Sequence, residues 1–482
     1  MRELRPIQNF AIDLVRNSLL TGHKRPMLQC PTGFGKTVLA SAIVLGALSK
    51  GKRVIFCVPA ISLIDQTVKS FWADGIRDIG VIQGNHELTD YSKPVQIASI
   101  QTLARRRLPH ADLVVVDEAH RWFKFYEDWM AQWGLIPFIG LSATPWTKGL
   151  AKHYDDLIVA ATTEDLIEDG YLSKFKVYAP NSPDLSKVRT VAGDYHEGDL
   201  ADVMDQPPLI ADVVQSWLKH GENRPTLCFA VDRAHAKHLA ERFEAAGVST
   251  AYIDAYTEMD ERNEIAKLFH AGSVKVVCNV GCLTTGIDWD VRCIVLARPT
   301  KSEILFTQII GRGLRTADGK ENCLILDHTN THEKLGFVTD IKHSTLDDGK
   351  PKKSSGGDKE KQEKLPKKCG KCSLIKPVGI HICPQCGFAP EKQTDITEAA
   401  GELTEMRGKK KASQAAKQDF YSGLITYARQ KGRADGWVAH TYKEYFGVWP
   451  RGLSRNAGEI SSECRGFIQH KNIKFAKGRK AA

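Results

Sequence analysis

The stretch Cys30-Pro31-Thr32-Gly33-Phe34-Gly35-Lys36-Thr37 decides the reading of this chain. An apolar, strand-like run from Met27 to Gln29 enters the turn, and a helix-like one from Val38 to Leu48 leaves it. Two glycines let the backbone wrap around an anion with no Cβ in the way. The N-terminus of the following helix aims free N–H groups at the same point. Lys36 is then placed to reach the β- and γ-phosphates of a nucleotide, and the Thr37 hydroxyl to hold Mg²⁺. Cys30 stands where the general phosphate-loop pattern has glycine. A glycine-rich turn alone is usually only a turn; the strand before it, the helix after it and the intact Lys-Thr pair make this one a triphosphate site.

Working outward, 482 residues are too many for one core and imply two to four domains. A hydrophobic content of 42% with 26% charged residues is that of an ordinary globular chain. The net charge of +10 suits a polyanionic partner. The longest apolar run, Val38 to Leu48, is too short to span a bilayer, and the start Met1-Arg2-Glu3-Leu4-Arg5 has no signal-peptide character. No membrane association and a cytoplasmic location are expected. Of the twelve cysteines, eight are scattered singly, many in apolar stretches, and four form one tight group. That pattern fits a reducing compartment with a metal site, not a cross-linked secreted scaffold.

From Met27 to about Thr147, short apolar runs alternate with amphipathic stretches. Arg53–Val58, Val95–Ile100, Leu113–Val116 and Phe138–Leu141 read as buried strands and Ser62–Trp72 as a helix, which argues a parallel sheet covered on both faces. Ligands of such sheets gather at the carboxyl ends of the strands. Val114-Val115-Val116 runs directly into Asp117-Glu118-Ala119-His120. An acid there can hold the Mg²⁺, and Glu118 can orient or deprotonate an attacking water. His120 is positioned to relay nucleotide state to a second domain. A second αβ pattern begins near Phe175, with strands at Leu227–Val231, Val274–Cys278, Ile294–Ala297 and Cys323–Leu326. Its helix Asp232–Ala246 carries an apolar stripe at Ala236, Leu239, Ala240 and Phe243 and stops at Gly247. No second phosphate loop follows its first strand.

Gly33-Phe34-Gly35-Lys36-Thr37, Asp117-Glu118-Ala119-His120 and Ser142-Ala143-Thr144-Pro145 resemble motifs I, II and III of the DEAH-box superfamily-two helicases, in the flavour of the XPB-like and phage UvsW-like members. Leu4-Arg5-Pro6-Ile7-Gln8 resembles the family's Q-type motif, which implies that Gln8 reads the adenine edge. The same resemblance implies that Ser142 and Thr144 couple hydrolysis to strand movement. Stretches around Pro59–Gln66 and Ser99–Thr102 sit where the strand-contacting motifs Ia and Ib lie, so Ser99 and Thr102 are expected nucleic-acid contacts. Thr284-Thr285-Gly286-Ile287-Asp288 resembles motif V, where a hydroxyl meets a backbone phosphate and Gly286 and Asp288 link that site to the nucleotide. Gln308-Ile309-Ile310-Gly311-Arg312-Gly313-Leu314-Arg315 matches motif VI, whose two arginines reach across the cleft to the γ-phosphate. An arginine finger of this kind is worth about 10³–10⁵ in rate. The resemblance covers roughly residues 1 to 345 and implies two tandem RecA-like parallel-sheet domains, 1–165 and 166–345, that close on ATP and open on hydrolysis. Arg105-Arg106-Arg107 adds phosphate contacts or, as is commoner for such a run taken alone, is a solvated charged face.

Beyond them the composition changes. Residues 346–367 are polar and lysine-rich and read as a flexible linker. Cys369-x-x-Cys372, ten residues, then Cys383-x-x-Cys386 read as a structural Zn²⁺ site of four thiolates, a zinc ribbon over 368–390. His381 is read as packing. Such a site commonly contributes ~10–16 kcal/mol, enough to fold a piece this small. A second linker, 391–417, leads to a small, mostly helical module at 418–482. It is aromatic and basic; its rings form a small core or stack bases, the core being favoured. Its Lys/Arg-rich end, Lys471 to Lys480, is a phosphate-contacting tail.

The expected function is an ATP-dependent DNA helicase or translocase using ATP, Mg²⁺ and Zn²⁺. Its substrate is single-stranded or forked DNA, and replication, repair or recombination proteins are candidate partners for the C-terminal region. Rivals are the motor subunit of a restriction or defence complex whose nuclease is another chain, and an RNA helicase. No carboxylate–lysine or His-Asn-His nuclease cluster is visible outside the motor. A non-catalytic scaffold would show a broken Lys36, Asp117, Glu118 or Arg312, and all four are present.

Overall fold

The computed structural model describes residues 2–179, 183–284, 287–350, 365–389, 413–446 and 448–479. Seven strands come first: β1 (Pro26–Gln29), β2 (Val54–Val58), β3 (Ile79–Ile82), β4 (Val95–Ser99), β5 (Leu113–Asp117), β6 (Phe138–Ser142) and β7 (Asp156–Val159). They form one parallel sheet in the order β3-β4-β2-β5-β6-β1-β7. Every residue of β1, β2, β4 and β6 is buried, because helices such as Pro6–Leu20 and Lys36–Leu48 on one side and Lys124–Gln132 on the other cover both faces. The register sets Gln29 opposite Ser142 and Asp117 opposite Leu141. The carboxyl ends of β1, β6 and β5 therefore lie side by side.

The second sheet is built from β8 (Lys174–Tyr178), β11 (Thr226–Phe229), β12 (Thr250–Ile253), β13 (Val276–Asn279), β14 (Cys293–Leu296) and β15 (Asn322–Asp327), all parallel, in the order β12-β13-β11-β14-β15-β8. A two-residue-per-strand hairpin, β9 (Thr190–Val191) and β10 (Asp194–Tyr195), precedes β11. The helix Arg233–Ala245 is capped by Asp232, whose carboxylate accepts from the His235 N–H, and the expected stripe Ala236, Leu239, Ala240 and Phe243 is buried. Gly247 follows at φ +78°, a left-handed turn suited to glycine. The fold is thus two parallel α/β sheets, as expected, followed by a four-cysteine cluster and C-terminal helices.

In the two large sheets the sequence reading named no strand at β3, β7, β8 or β12, and these are the four sheet edges. The expected linker also differs at its start. Leu346 packs on the first sheet's core, the Asp347 carboxylate accepts from the Gly149 N–H at 2.8 Å, and the Asp347 carbonyl accepts from the Ala151 N–H at 2.9 Å. Upstream, His343 Nε2 meets Glu303 Oε2 at 2.7 Å and its ring lies 4.9 Å from that of Trp146. Residues 343–349 are therefore a strap from the second lobe to the first. The 351–364 part of the linker and residues 391–412 of the second lie outside the described residues.

The cysteine cluster is not a bead on a string. Its hairpin, β16 (Lys367–Lys368) and β17 (Ile375–Lys376), lies against edge strand β8: Leu374 bridges Tyr178, and the Ala179 N–H donates to the Ser373 carbonyl at 3.0 Å. Cys369, Leu374 and Cys383 share a buried apolar cluster with Tyr178 and Trp217. Residues 1–391 make one compact unit and 392–482 another. In the latter, the helices Gln414–Gln430, Asp435–Phe446 and Ser462–Arg479 enclose a core that includes Phe420, Leu424, Tyr442 and Cys464. No described helix is long and apolar enough to cross a membrane.

Candidate nucleotide and nucleic-acid site

The phosphate loop leaves β1 with the Cys30 N–H donating to the Ser142 carbonyl at 2.7 Å, which ties it to the end of β6. Gly33 and Gly35 have φ of +82° and +85°, where a side chain would be strained. There is no room for one either: a Cβ on Gly33 would lie 2.4 Å from Leu172, and one on Gly35 equally close to the Gln8 amide. Lys36 opens the helix, and its ammonium lies 2.7 Å from Asp117 Oδ1 and in contact with Glu118. Burial alone would lower the Lys36 ammonium, but the two carboxylates outweigh it and hold the group protonated well above its ordinary range. Thr37 is exposed on the first helical turn. Glu118 has φ +48°, a strained conformation for a side-chain-bearing residue, at the site where a reacting water is expected.

Gln8 sits differently from the expectation that it reads adenine. Its side chain is buried; Nε2 donates to the Phe34 and Gly35 carbonyls at 2.9 and 3.2 Å, and Oε1 accepts from the Arg5 N–H. In this structure its amide braces the loop. Arg5 adds a second brace, donating to the Gly33 carbonyl at 2.7 Å with its guanidinium 4.2 Å from the centre of the Tyr171 ring. That contact had no clear signal in the sequence.

Two family models match this chain: the res subunit of type III restriction enzymes over residues 1–147, and the helicase conserved C-terminal domain over 209–317. A 51.5 kDa protein of a Lactococcus phage is 31% identical over 78% of this chain and 81% of that protein. The chain belongs to the superfamily-two helicases. A putative ATP-dependent helicase of Saccharomyces cerevisiae, IRC3, is 30% identical over 67% of this chain, which spans about half (51%) of that relative. Among solved structures, a fragment of a putative HsdR subunit of a type I restriction enzyme from Vibrio vulnificus shares the fold, with a TM-score of 0.56, 22% identity and coverage of 73% of this chain and 68% of that one.

In this helicase the two lobes meet at His120. Gln308, on the second lobe's helix Glu303–Leu314, points Nε2 at His120 Nε2, 3.3 Å away. An amide NH₂ only donates, so the ring accepts there and carries its proton on Nδ1. Nδ1 then donates to Ser142 Oγ at 2.8 Å, and the same oxygen accepts from the Thr144 N–H at 3.0 Å. Burial pushes the His120 ring down to about 4, so it is neutral at pH 7, as this chain of bonds requires. Thr144 is fully buried, and its hydroxyl has no partner among the described residues.

The remaining expected contacts divide. Arg312 is buried, reaching the Ile287 carbonyl at 3.3 Å; burial and Arg315 pull it down to about 10, while the Glu118 charge opposes them. Arg315 bonds the same carbonyl at 2.6 Å and Asp288 at 2.5 Å. Gly311 of that helix approaches the phosphate loop so closely that a Cβ there would lie 2.5 Å from Thr32 Oγ1. Thr284 is buried and bonded to the Gly281 carbonyl, while Thr285 and Gly286 lie outside the described residues. Ser99, expected to touch nucleic acid, is instead fully buried as a helix cap bonded to Thr102 at 2.9 Å; Thr102 is partly exposed. Strand ends favour such caps, and a serine there carries the same letter whichever role it plays.

The four sulfurs of Cys369, Cys372, Cys383 and Cys386 lie within 4.8 Å of one another. The Cys369–Cys386 and Cys372–Cys383 separations are 3.7 and 3.6 Å. A tetrahedron of zinc–sulfur bonds near 2.3 Å has edges of about 3.8 Å, so this donor set fits the ion.

Proposed function

We propose that this helicase is an ATP-dependent DNA motor of the XPB-like and UvsW-like kind, with domains at 1–165 and 166–345, that moves along or remodels single-stranded or forked DNA. The observation that carries the reading is the line Gln308–His120–Ser142–Thr144, which joins the arginine-bearing helix of one lobe to the end of β6 in the other. A group bonded to both lobes and adjoining the water-activating position can transmit the state of the nucleotide. Lys36 leaves Asp117 and Glu118 to bind the β- and γ-phosphates. Thr37 and Asp117 supply the hard oxygen donors that Mg²⁺ prefers, and the ion neutralises phosphate charge when bound. Glu118, freed of Lys36, orients the attacking water and accepts its proton, while Arg312 and Arg315 stabilise the γ-phosphate. The cysteine ribbon, docked on β8, holds structural zinc and anchors the enzyme on its nucleic acid.

The matched type III res family and the HsdR-like fold favour one second reading, a motor subunit acting with a separate nuclease chain. Both are tested by ATP hydrolysis with no nucleic acid, single-stranded DNA, forked DNA or RNA. Strong stimulation by forked DNA is expected. Stimulation by RNA alone overturns the DNA reading, and none at all with any nucleic acid favours the subunit reading, to be checked by co-purification of a nuclease.

A further inference from the structure

The C-terminal unit, which the motor mechanism leaves unused, concentrates the chain's charge. Residues 413–482 hold 13 Lys and Arg against 5 Asp and Glu, most of the chain's net +10. The core of this unit closes on Phe420, Tyr421, Tyr442 and their partly buried neighbours Tyr445, Phe446 and Phe467. Trp449 takes no part in that core. It is 42% exposed in the turn after the second helix, beside Val448 at 52%. Lys443 Nζ lies 4.4 Å from the centre of its ring, and the exposed His440 ring stands edge-on at 5.1 Å. The exposed Arg451 closes the turn, its N–H donating to the Trp449 carbonyl at 2.9 Å.

An indole left out of the core, with the Lys443 ammonium at its ring and an exposed arginine two residues on, in a unit of strong positive charge, matches a polyanion that also offers flat apolar faces. We propose that Trp449, with Lys443, Arg451 and His440, is a stacking anchor of a second nucleic-acid site, and that its ligand is single-stranded. Base–aromatic stacking needs an unpaired base, and the cations supply the backbone attraction. A duplex hides its base faces and would meet only the charges. An acidic protein segment would also meet the charges but has no base to stack. This site goes beyond the motor reading and does not depend on it.

The test uses the full chain without ATP. A deoxythymidine oligonucleotide carrying 5-bromodeoxyuridine is crosslinked by ultraviolet light, the joined peptide is identified by mass spectrometry, and affinity is measured at two salt concentrations. The expected crosslink falls in the peptide containing Trp449. Trp449→Ala should remove it and weaken binding by about 5- to 100-fold, one base stack, whereas Trp449→Phe restores it. Lys443→Gln with Arg451→Gln should flatten the salt dependence. Basal ATP hydrolysis should stay unchanged in all of these. The proposal is overturned if no crosslink falls between residues 437 and 455, or if Trp449→Ala changes affinity less than two-fold. It is equally overturned if duplex DNA or polyglutamate competes as well as the single strand. A crosslink at Trp449 in a chain whose ATPase ignores DNA would keep this site and reject the DNA-motor reading; the reverse result would do the opposite.

Discussion

At the scale of the residue, the end of β5 proposed as catalytic is closed by an ion pair. The single Lys36 ammonium pairs with both Asp117 and Glu118, and Glu118 keeps a strained φ of +48°. Lys36→Ala and Glu118→Gln should each abolish ATP turnover while nucleic-acid binding, read by fluorescence anisotropy, survives; turnover at the natural level in Lys36→Ala would remove the site assignment. Arg312→Ala should lower kcat by roughly 10³–10⁵-fold, and Arg312→Lys should not restore it, because a point charge lacks the planar fork of the guanidinium. Gln308 acts one step further back. Gln308→Ala should leave nucleotide affinity in place but reduce nucleic-acid stimulation roughly 2- to 30-fold, the range of a lost coupling of about 0.5–2 kcal/mol. Equal stimulation in the variant would mean that the contact with His120 is packing only.

At the scale of the element, legibility follows burial. The central strands β1, β2, β4, β5 and β6 announce themselves as apolar runs because both faces are covered, and the chemistry follows from their ends. The edge strands β7 and β12 bury only part of their length, so Asp156–Val159 and Thr250–Ile253 lack that run. β3 is fully buried but short and interrupted by Gly80, whose missing Cβ leaves room for the Asp90 carbonyl. The strap was hidden for another reason. Asp347, Asp348, Gly349 and Lys350 have the composition of a linker, yet beyond the single apolar Leu346 and the His343 ring the strap is held by one carboxylate and by backbone groups, which no hydrophobic pattern reports. Gln8 is a similar case: an amide serves a base edge or a loop carbonyl equally well, and only its neighbours decide. Asp347→Ala removes acceptors for the Gly149 and Gly349 N–H groups, at about 1 kcal/mol each. The variant should be cut faster by trypsin after Lys342 than the natural chain, Lys350 being protected by the proline that follows it; an unchanged cleavage rate would mean that the strap holds without this carboxylate.

At the scale of the whole molecule, buried histidines set the acid limit. Burial pushes His120, His235 and His328 down to about 4 from an ordinary 6.5. A folded-state value below the unfolded one means that the unfolded chain binds more protons as pH falls through 6.5. Stability is therefore complete above about pH 6.5 and declines towards pH 4, by up to about 3 kcal/mol for each ring. Urea denaturation at pH 7.5, 6 and 5 should show the midpoint falling steadily; a flat profile over that range would mean that these rings are not buried neutral in solution.

The docking of the cysteine hairpin on β8 gives the proposed zinc site a consequence beyond the ribbon itself. β8 is the outer strand of its sheet, with Lys174 and Lys176 exposed along its first part and Val177 and Tyr178 buried at its end, where Leu374 sits. Lysines discourage a second chain from pairing with such a border, but the Val177–Tyr178 end relies on the ribbon for its cover. Chelation should then do more than unfold the ribbon: it should leave a bare ladder of backbone N–H and C=O groups open to another molecule. Loss of zinc would be seen first as self-association in light scattering, and a truncation placed before Cys369 should aggregate where one placed after residue 391 stays monodisperse.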